Sequence, residues 1–594
     1  MGEAKESTLR SPGLGYRWLL RITGDARGPL RIAALAFVMA LPAITMGLVG
    51  DDFDLALAVR NDPLGAYAFH ARDAEVRSAA TLRARAIGDA PWWIDPEFHQ
   101  AFFRPLASLS LAVDFALWPE AAWWMHVENG LLFAAIILLA ASAYRALGLS
   151  SPVVGLSTFF FAMQGAQSMT VGWLSGRNTL LANLFGFACV RLYLPARLLG
   201  GIGGDAPDAP GWRRQAAALG AFLAALFSAE GGVAALAYLV AYAACLDTRT
   251  VSRRLRQLVP FVVTFGLYWV WYRANGYGVR WSGFYLDPMH QPLAFAANLA
   301  TALPIYLASQ LTVPFAAAAG VTPQALLVVT TVSLIILFVS RGLWLPVLRR
   351  DAWARFLALG AVLAVVPLGA SMPQDRLVGF IALGVCGILA EVIHGRFGSE
   401  NLRLPQRGAR LLYQLHALWA PLCFIPWLFG SLTLVAGGGA VVLDGLPSAD
   451  LRQAVLINAP SHLPVHFLRA MRRFRGEAPP TVDLLYSGGS PFTLRRPDAR
   501  SLELEVAQGF FATTIERVDR DPTQHPLPAH AMVDLPRLRV EILEAIDGRP
   551  TRVRYLFPAP LEARPLLVWR ARVPERLIPP PVGAQIDVPA LSPM

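Results

Sequence analysis

Apolar runs about as long as a bilayer is thick recur through the first 430 positions of this chain, and no other feature narrows its fold so far. A helix needs about 20 predominantly apolar residues to cross the hydrocarbon core, and only helices or closed barrels satisfy their own backbone there. Runs of this kind fall at 32–49, 125–146, 152–171, 179–196, 257–273, 322–340, 352–371, 377–394 and 411–430. The block 215–246 has Arg213-Arg214 before it and Arg253-Arg254 after it, so both ends belong on one basic side. It therefore reads as two short spans that break at Ser228-Ala229-Glu230-Gly231-Gly232. Pro304 and Pro314 interrupt 291–319, and a full crossing there would strand Arg349-Arg350 on the wrong side. A re-entrant or interfacial piece is expected, and the total is about eleven crossings.

Charge and composition agree. Only 16% of residues are charged, against about a quarter in soluble globular chains. The net charge of +11 comes from Arg almost without Lys, and no basic stripe with interleaved aromatics is present. That pattern suits membrane topology and phosphate binding and argues against nucleic acid. Cys189, Cys245, Cys386 and Cys423 lie far apart in apolar runs, which excludes a zinc motif and argues against a disulfide framework. There is no P-loop and no tandem repeat.

Lys5, Arg10, Arg17, Arg21, Arg27 and Arg31 place residues 1–31 in the cytoplasm. No small-residue cleavage site follows the first run, so it is expected to be an uncleaved anchor. The loop 50–123 then lies outside, in the periplasm for a bacterial inner-membrane protein. It is too long for a connector. A charged helical piece is expected near 63–87, followed by Pro91-Trp92-Trp93 and a helix near 100–117. Phe102, Leu106, Leu109, Val113 and Leu117 share one face of that second helix, with Trp118, Trp123 and Trp124 close by. Such a face settles in the membrane interface. From 448 onward the apolar runs shorten, and alternation appears in Ser501-Leu502-Glu503-Leu504-Glu505-Val506 and Arg537-Leu538-Arg539-Val540-Glu541-Ile542. The expected fold is thus an all-α polytopic membrane domain over 32–447 with a small C-terminal β-rich soluble domain, 448–594. Odd parity puts that domain outside.

Gly50-Asp51-Asp52-Phe53-Asp54 sits where the first run meets water. Asp51, Asp52, Arg104, His126, Asn129, Arg177, Asn178, Glu230, Asp375 and Arg376 all fall at outer ends of expected spans. Each alone has a plain structural explanation; together they outline one outward cleft. The outer compartment lacks nucleotide sugars, so a sugar donor there arrives on a polyprenyl phosphate. A carboxylate can take the proton from an acceptor hydroxyl, and Arg can fork around the phosphate leaving group. Two adjacent carboxylates repel, which raises the pKa of one and improves it as a base.

Several stretches resemble the polytopic C-type (GT-C) glycosyltransferases, nearest to bacterial relatives of the transmembrane-and-tetratricopeptide and protein O-mannosyltransferases. They are Gly50-Asp51-Asp52-Phe53 with Arg60-Asn61-Asp62-Pro63, Phe103-Arg104-Pro105-Leu106, His126-Val127-Glu128-Asn129, and Trp173-Leu174-Ser175-Gly176-Arg177-Asn178-Thr179-Leu180-Leu181-Ala182. Ser228-Ala229-Glu230 and Gln374-Asp375-Arg376-Leu377 follow in the same order. The resemblance implies an inverting transferase that moves a sugar from a polyprenyl phosphate to a glycan, lipid or protein acceptor. In it Asp51 is the base and Asp52 supports it or binds acceptor, while Arg104, His126, Asn129, Arg177, Asn178, Glu230 and Arg376 bind substrate. No cofactor is fixed, and a divalent cation stays open. The chain departs from the family pattern at Gln164-Gly165, Met169, Ala229 and Phe133, and it has no tetratricopeptide array. Two rivals remain. A transporter or flippase would place charges at mid-membrane and repeat its halves; a non-catalytic scaffold would present the β-rich domain.

The Arg distribution predicts that reporter fusions at residue 15 read cytoplasmic, while fusions at residues 80 and 500 read external. A cytoplasmic reading at 80 would remove the outward cleft altogether.

Overall fold

The computed structural model of the chain describes residues 14–195, 211–397, 405–436, 438–571 and 573–591. Lys5 and Arg10 of the expected basic flank lie outside them. Among the described residues, seven helical segments are long and apolar enough to cross a membrane: Gly28–Thr45, Ala122–Ala146, Pro292–Leu311, Pro323–Arg350, Ala352–Ala370, Gly379–Phe397 and Gln406–Gly430. Shorter apolar helices cover Pro105–Leu117, Ser151–Met163 and Glu230–Cys245. Reaching about eleven crossings would require short helices and the more polar Arg177–Tyr193, Trp212–Ser228 and Val251–Ala274 as well. The bundle is polytopic and helical, and one continuous apolar core runs through it.

Of the two prolines, Pro304 lies inside one helix, Pro292–Leu311, and Pro314 follows its end. Although long enough to cross, this helix is tied to one loop before and after. The Asn298 amide donates to the carbonyls of Gly369 and Ser371, both at 2.9 Å. Beyond its end, the N–H groups of Ala316 and Ala317 reach Asp375 at 3.0 and 3.1 Å. The loop 369–375 thus runs along this helix, and the Gln374 N–H also reaches the Tyr306 hydroxyl at 2.9 Å.

The first span does not simply stop at the aspartates. A 3-10 turn, Leu41–Thr45, ends it, and a new helix, Asp51–Asn61, begins at once. Gly50 joins the two with φ +57°, a left-handed conformation that favours glycine. Three acidic residues then occupy the first turn of this helix, where its dipole favours negative charge. The charged helix of the outer loop runs from Ala74 to Ile87, shorter than expected. The Asp73 carboxylate caps it by accepting from the Val76 N–H at 3.0 Å, and left-handed Gly88 ends it. The helix Pro105–Leu117 buries Ala107, Ser108, Leu111 and Asp114 on one side and leaves Leu109, Val113 and Leu117 exposed, as an interfacial helix must.

The C-terminal region holds two sheets. Phe492–Arg495, Ser501–Glu505, Met532–Leu535, Leu538–Ile546, Arg549–Leu556 and Gln585–Val588 form an antiparallel six-stranded sheet. The alternating stretches read from sequence fall in it. The other sheet contains a parallel β-α-β unit, Ala454–Ala459, Leu463–Phe474 and Val482–Ser487. Its two strands are buried at every position, so they read as continuous apolar runs without alternation.

The outer loop is part of this domain's core. Trp92 and Trp93 are buried among its strand residues. Trp92 donates from Nε1 to the Leu485 carbonyl at 3.0 Å and packs edge-on to Phe510 and Tyr555. Asp89 is clamped by Arg469 and Arg473, and the Arg520 Nε donates to the Trp93 carbonyl at 2.6 Å. Deleting a buried aromatic side chain costs about 3–5 kcal/mol through lost burial and a residual cavity. Trp92→Ala is therefore expected to loosen the C-terminal domain, measured as limited proteolysis within 448–571 at a temperature where the parent protein resists.

Candidate active site

Two turns are locked together at the end of the bundle that carries the C-terminal domain. The buried carboxylate of Asp52 accepts hydrogen bonds from the N–H and Oγ of Ser175 at 2.7 and 2.5 Å, and from the Val49 N–H at 2.9 Å. The Trp173 Nε1 donates to the Val49 carbonyl at 3.2 Å, and the Tyr67 hydroxyl to the Ser175 carbonyl at 3.3 Å. Burial pushes Asp52 up to about 7 in spite of these bonds. Its oxygens are committed to holding the 173–177 turn against the aspartate turn.

Asp51 is half-buried and opens on a cavity of about 450 Å³ between the outer loop and the C-terminal domain. Desolvation, then the charge of Asp54, push it up to about 6; Arg376 and His466 pull it back. A carboxylate poised near neutrality, at a helix start and facing a cavity, has the properties of a general base.

Arg376 lies in the short turn Asp375–Leu377, stacked over Trp173 at 5.0 Å. Its Nε donates to the Gln374 side chain at 2.6 Å, and among the described residues it has no ion pair. Burial lowers its pKa, while Tyr285 and Asp51 are near enough to favour its charge. It is an under-neutralised guanidinium at the site. Arg104 lies over the Phe102 ring at 4.1 Å and is bridged to Glu230 at 2.7 Å, which also accepts from the Tyr272 hydroxyl at 3.1 Å. Phe102 in turn packs edge-on to the half-buried Tyr285 ring at 6.0 Å, and the charges of Arg376, Arg104, Asp51 and Glu230 act on its hydroxyl.

The remaining expected residues serve the framework. Arg177 is 2% exposed and pairs with Asp114 and, at 3.3 Å, with Glu128. It also donates to the Asn129 side chain and the Met125 carbonyl, both at 2.8 Å. Every side of this guanidinium is engaged, so its expected role on a phosphate gives way to a structural one. Asn129 ties Arg177 to the carbonyls of Val171 and Trp173, and the Asn178 side chain accepts from the Thr179 N–H. His126 is buried with Nε2 at 3.0 Å from the Gly47 carbonyl. Asp375 caps the 316–320 turn and is not free for substrate.

Two residues carry no motif and were not read from sequence. Asp54 faces the same cavity as Asp51 and pairs with His466 of the C-terminal domain at 2.9 Å. A lone histidine on an amphipathic helix gives no sequence signal of that kind. Among the described residues, no group of three or more His, Cys, Asp or Glu side chains could hold a metal ion.

Fold and site define a polytopic membrane protein with a half-buried carboxylate, Asp51, in a cavity between the 50–123 loop and the C-terminal α/β domain, and with Arg376 near it. No family model and no curated protein matches the chain. Among solved structures it aligns with ArnT from Cupriavidus metallidurans bound to undecaprenyl phosphate, at 14% identity and TM-score 0.39 over 77% of this chain and 86% of that one. It also aligns with the arabinofuranosyltransferase AftD from Mycobacteria, at 16% identity and TM-score 0.28 over 76% of this chain but only 32% of the other. These scores lie below the level at which a shared fold can be read, and residue roles rest on this chain's own geometry.

Removing one partner of a buried ion pair costs about 3–5 kcal/mol, because the other charge is left uncompensated. Arg177→Gln is expected to reduce the yield of folded protein in detergent sharply, whereas Arg376→Gln should elute as the parent does on size-exclusion chromatography. Equal recovery of the two variants would return Arg177 to the list of substrate contacts.

Proposed function

We propose that this chain is an inverting glycosyltransferase of the C type, which moves a sugar from a polyprenyl phosphate to an acceptor hydroxyl at the outer face of the membrane. The observation that carries the reading is a half-buried carboxylate, Asp51, that opens on the cavity between outer loop and C-terminal domain, with the Arg376 guanidinium, stacked over Trp173, near enough for its charge to act on it. The ordered motif resemblance supports it.

In this mechanism the donor lies with its lipid among the apolar helices and its phosphate at Arg376, whose planar fork suits phosphate better than a lysine would. The acceptor enters through the cavity between outer loop and C-terminal domain. Asp51 accepts the hydroxyl proton as the acceptor oxygen bonds to the anomeric carbon from the face opposite the phosphate. The anomeric carbon–oxygen bond breaks, polyprenyl phosphate leaves with the electron pair, and the configuration inverts. Arg104 and Glu230, held by each other and by Tyr272, line the donor side. Asp52 contributes by fixing the turn on which Asp51 stands.

Asp51→Asn keeps shape and removes the base. Transfer of labelled sugar from a polyprenyl-phosphate donor to endogenous acceptors in membranes should fall by about 10²-fold or more, with the protein still inserted and folded. In the parent, transfer should rise as pH passes through about 6, where Asp51 loses its proton. Arg376→Lys should raise the apparent KM for donor. Full transfer by Asp51→Asn would end the base assignment.

A further inference from the structure

The Asp54–His466 pair stands apart from the other contacts between the membrane domain and the C-terminal domain. Docking is already secured by Trp92 and Trp93 in the domain core, by Asp89 between Arg469 and Arg473, and by Arg520 on the Trp93 carbonyl. Arg537 adds two more links, donating to the carbonyls of Arg85 and Ala86. None of these touches Asp51. Trp92, Asp89, Arg469, Arg473 and Arg537 line the cavity on which Asp51 opens as well, but the Asp54–His466 pair is the contact between the domains whose charges act on Asp51. Asp54 lies three positions after Asp51 on one helix, a spacing that places both on one face. The His466 ring, 45% exposed, comes from the helix Leu463–Phe474 of the other domain.

We propose that His466 is a positioning residue for Asp51: by pairing with Asp54 it fixes the charge that faces the base, and so makes the C-terminal domain a working part of the active site. The inference rests on the reading of Asp51 as the base. The charges that act on Asp51 are few. Asp54 and Asp52 belong to its own helix, Arg376 to the turn beside it, and His466 to the domain above. Tyr67 and Tyr285 face it as neutral hydroxyls. The groups acting on His466 are Asp54, Asp51 and Asp519, together with the neighbouring His462 and His70. The carboxylate of Asp54 beside it raises His466 to about 9, so it stays a cation throughout the range in which Asp51 titrates.

The sign follows. With His466 charged, Asp54 is neutralised and Asp51 ionises readily. Without that charge, the Asp54 anion stands alone beside Asp51 and holds the proton on it. A tether that failed would admit water to Asp51 and move its titration down, whereas loss of the His466 charge moves it up.

The test is the pH profile of labelled sugar transfer from a polyprenyl-phosphate donor in membranes. His466→Gln should move the acid limb up by about one pH unit, which is about a fivefold loss at pH 6 and little loss at pH 8. Asp54→Asn should move the limb down, and the Asp54→Asn/His466→Gln double variant should return it close to the parent. His466→Lys, which keeps a positive charge, should hold the limb in place. An unmoved limb in active His466→Gln, or a shift in the double variant as large as in the single one, would overturn the inference and leave the transferase reading intact. If His466→Gln fails to fold, His466→Lys and the double variant still decide: a displaced limb in both would overturn it. Absence of transfer in the parent protein at every pH would instead overturn the transferase reading, and this inference with it.

Discussion

The buried carboxylate of Asp52 holds the outer end of this molecule together. Its oxygens take three hydrogen bonds from two separate turns, and without it the Ser175 and Val49 donors would be buried and unpaired. An unmet buried donor costs about 1–3 kcal/mol, so the two turns have one stable arrangement. In it the adjacent carboxylate, Asp51, stands on the cavity side of the helix start. Two neighbouring acids thus divide the work. One is spent on structure so that the other can stay free, and their different surroundings decide which is which.

The arginines divide in the same way. Arg177 and Arg376 both sit in motif-like turns at outer helix ends, and sequence gives no reason to separate them. Packing does. Arg177 points into the bundle, where Asp114, Glu128 and Asn129 surround it. Two carboxylates around one buried guanidinium leave no attraction for a further anion. Arg376 has an aromatic face and one amide as its nearest partners, and so it retains most of its capacity to attract a phosphate.

How much was legible follows from the length scale of each signal. Apolar runs declare themselves within a single segment, so the helical membrane domain and the break at 228–232 could be read directly. Alternation likewise exposed strands of the antiparallel sheet. The parallel strands escaped because burial on both faces erases alternation. The helix at Asp51–Asn61 escaped because its start looks like the solvated end of a span, and only the turn at Gly50 separates the two. Residues 50–123 could be recognised as too long for a connector, but their reason is tertiary. The Trp92-Trp93 pair completes a core whose strands lie more than 350 positions away, the Leu485 carbonyl being 393 positions from Trp92.

That long-range closure bears on how the site is built. A membrane bundle can fix side chains at its outer end, but it cannot by itself screen them from bulk water. Here the outer loop inserts two tryptophans into the extramembrane domain, and the domain is thereby held over the aspartate turn. The cavity beneath it has one wall from each part. Desolvation is the largest influence on Asp51, and it depends on that second wall as well as on the bundle. The C-terminal domain therefore acts on Asp51 first by excluding water from its carboxylate. A chain with the same helices and an undocked domain would present an ordinary, fully ionised surface aspartate.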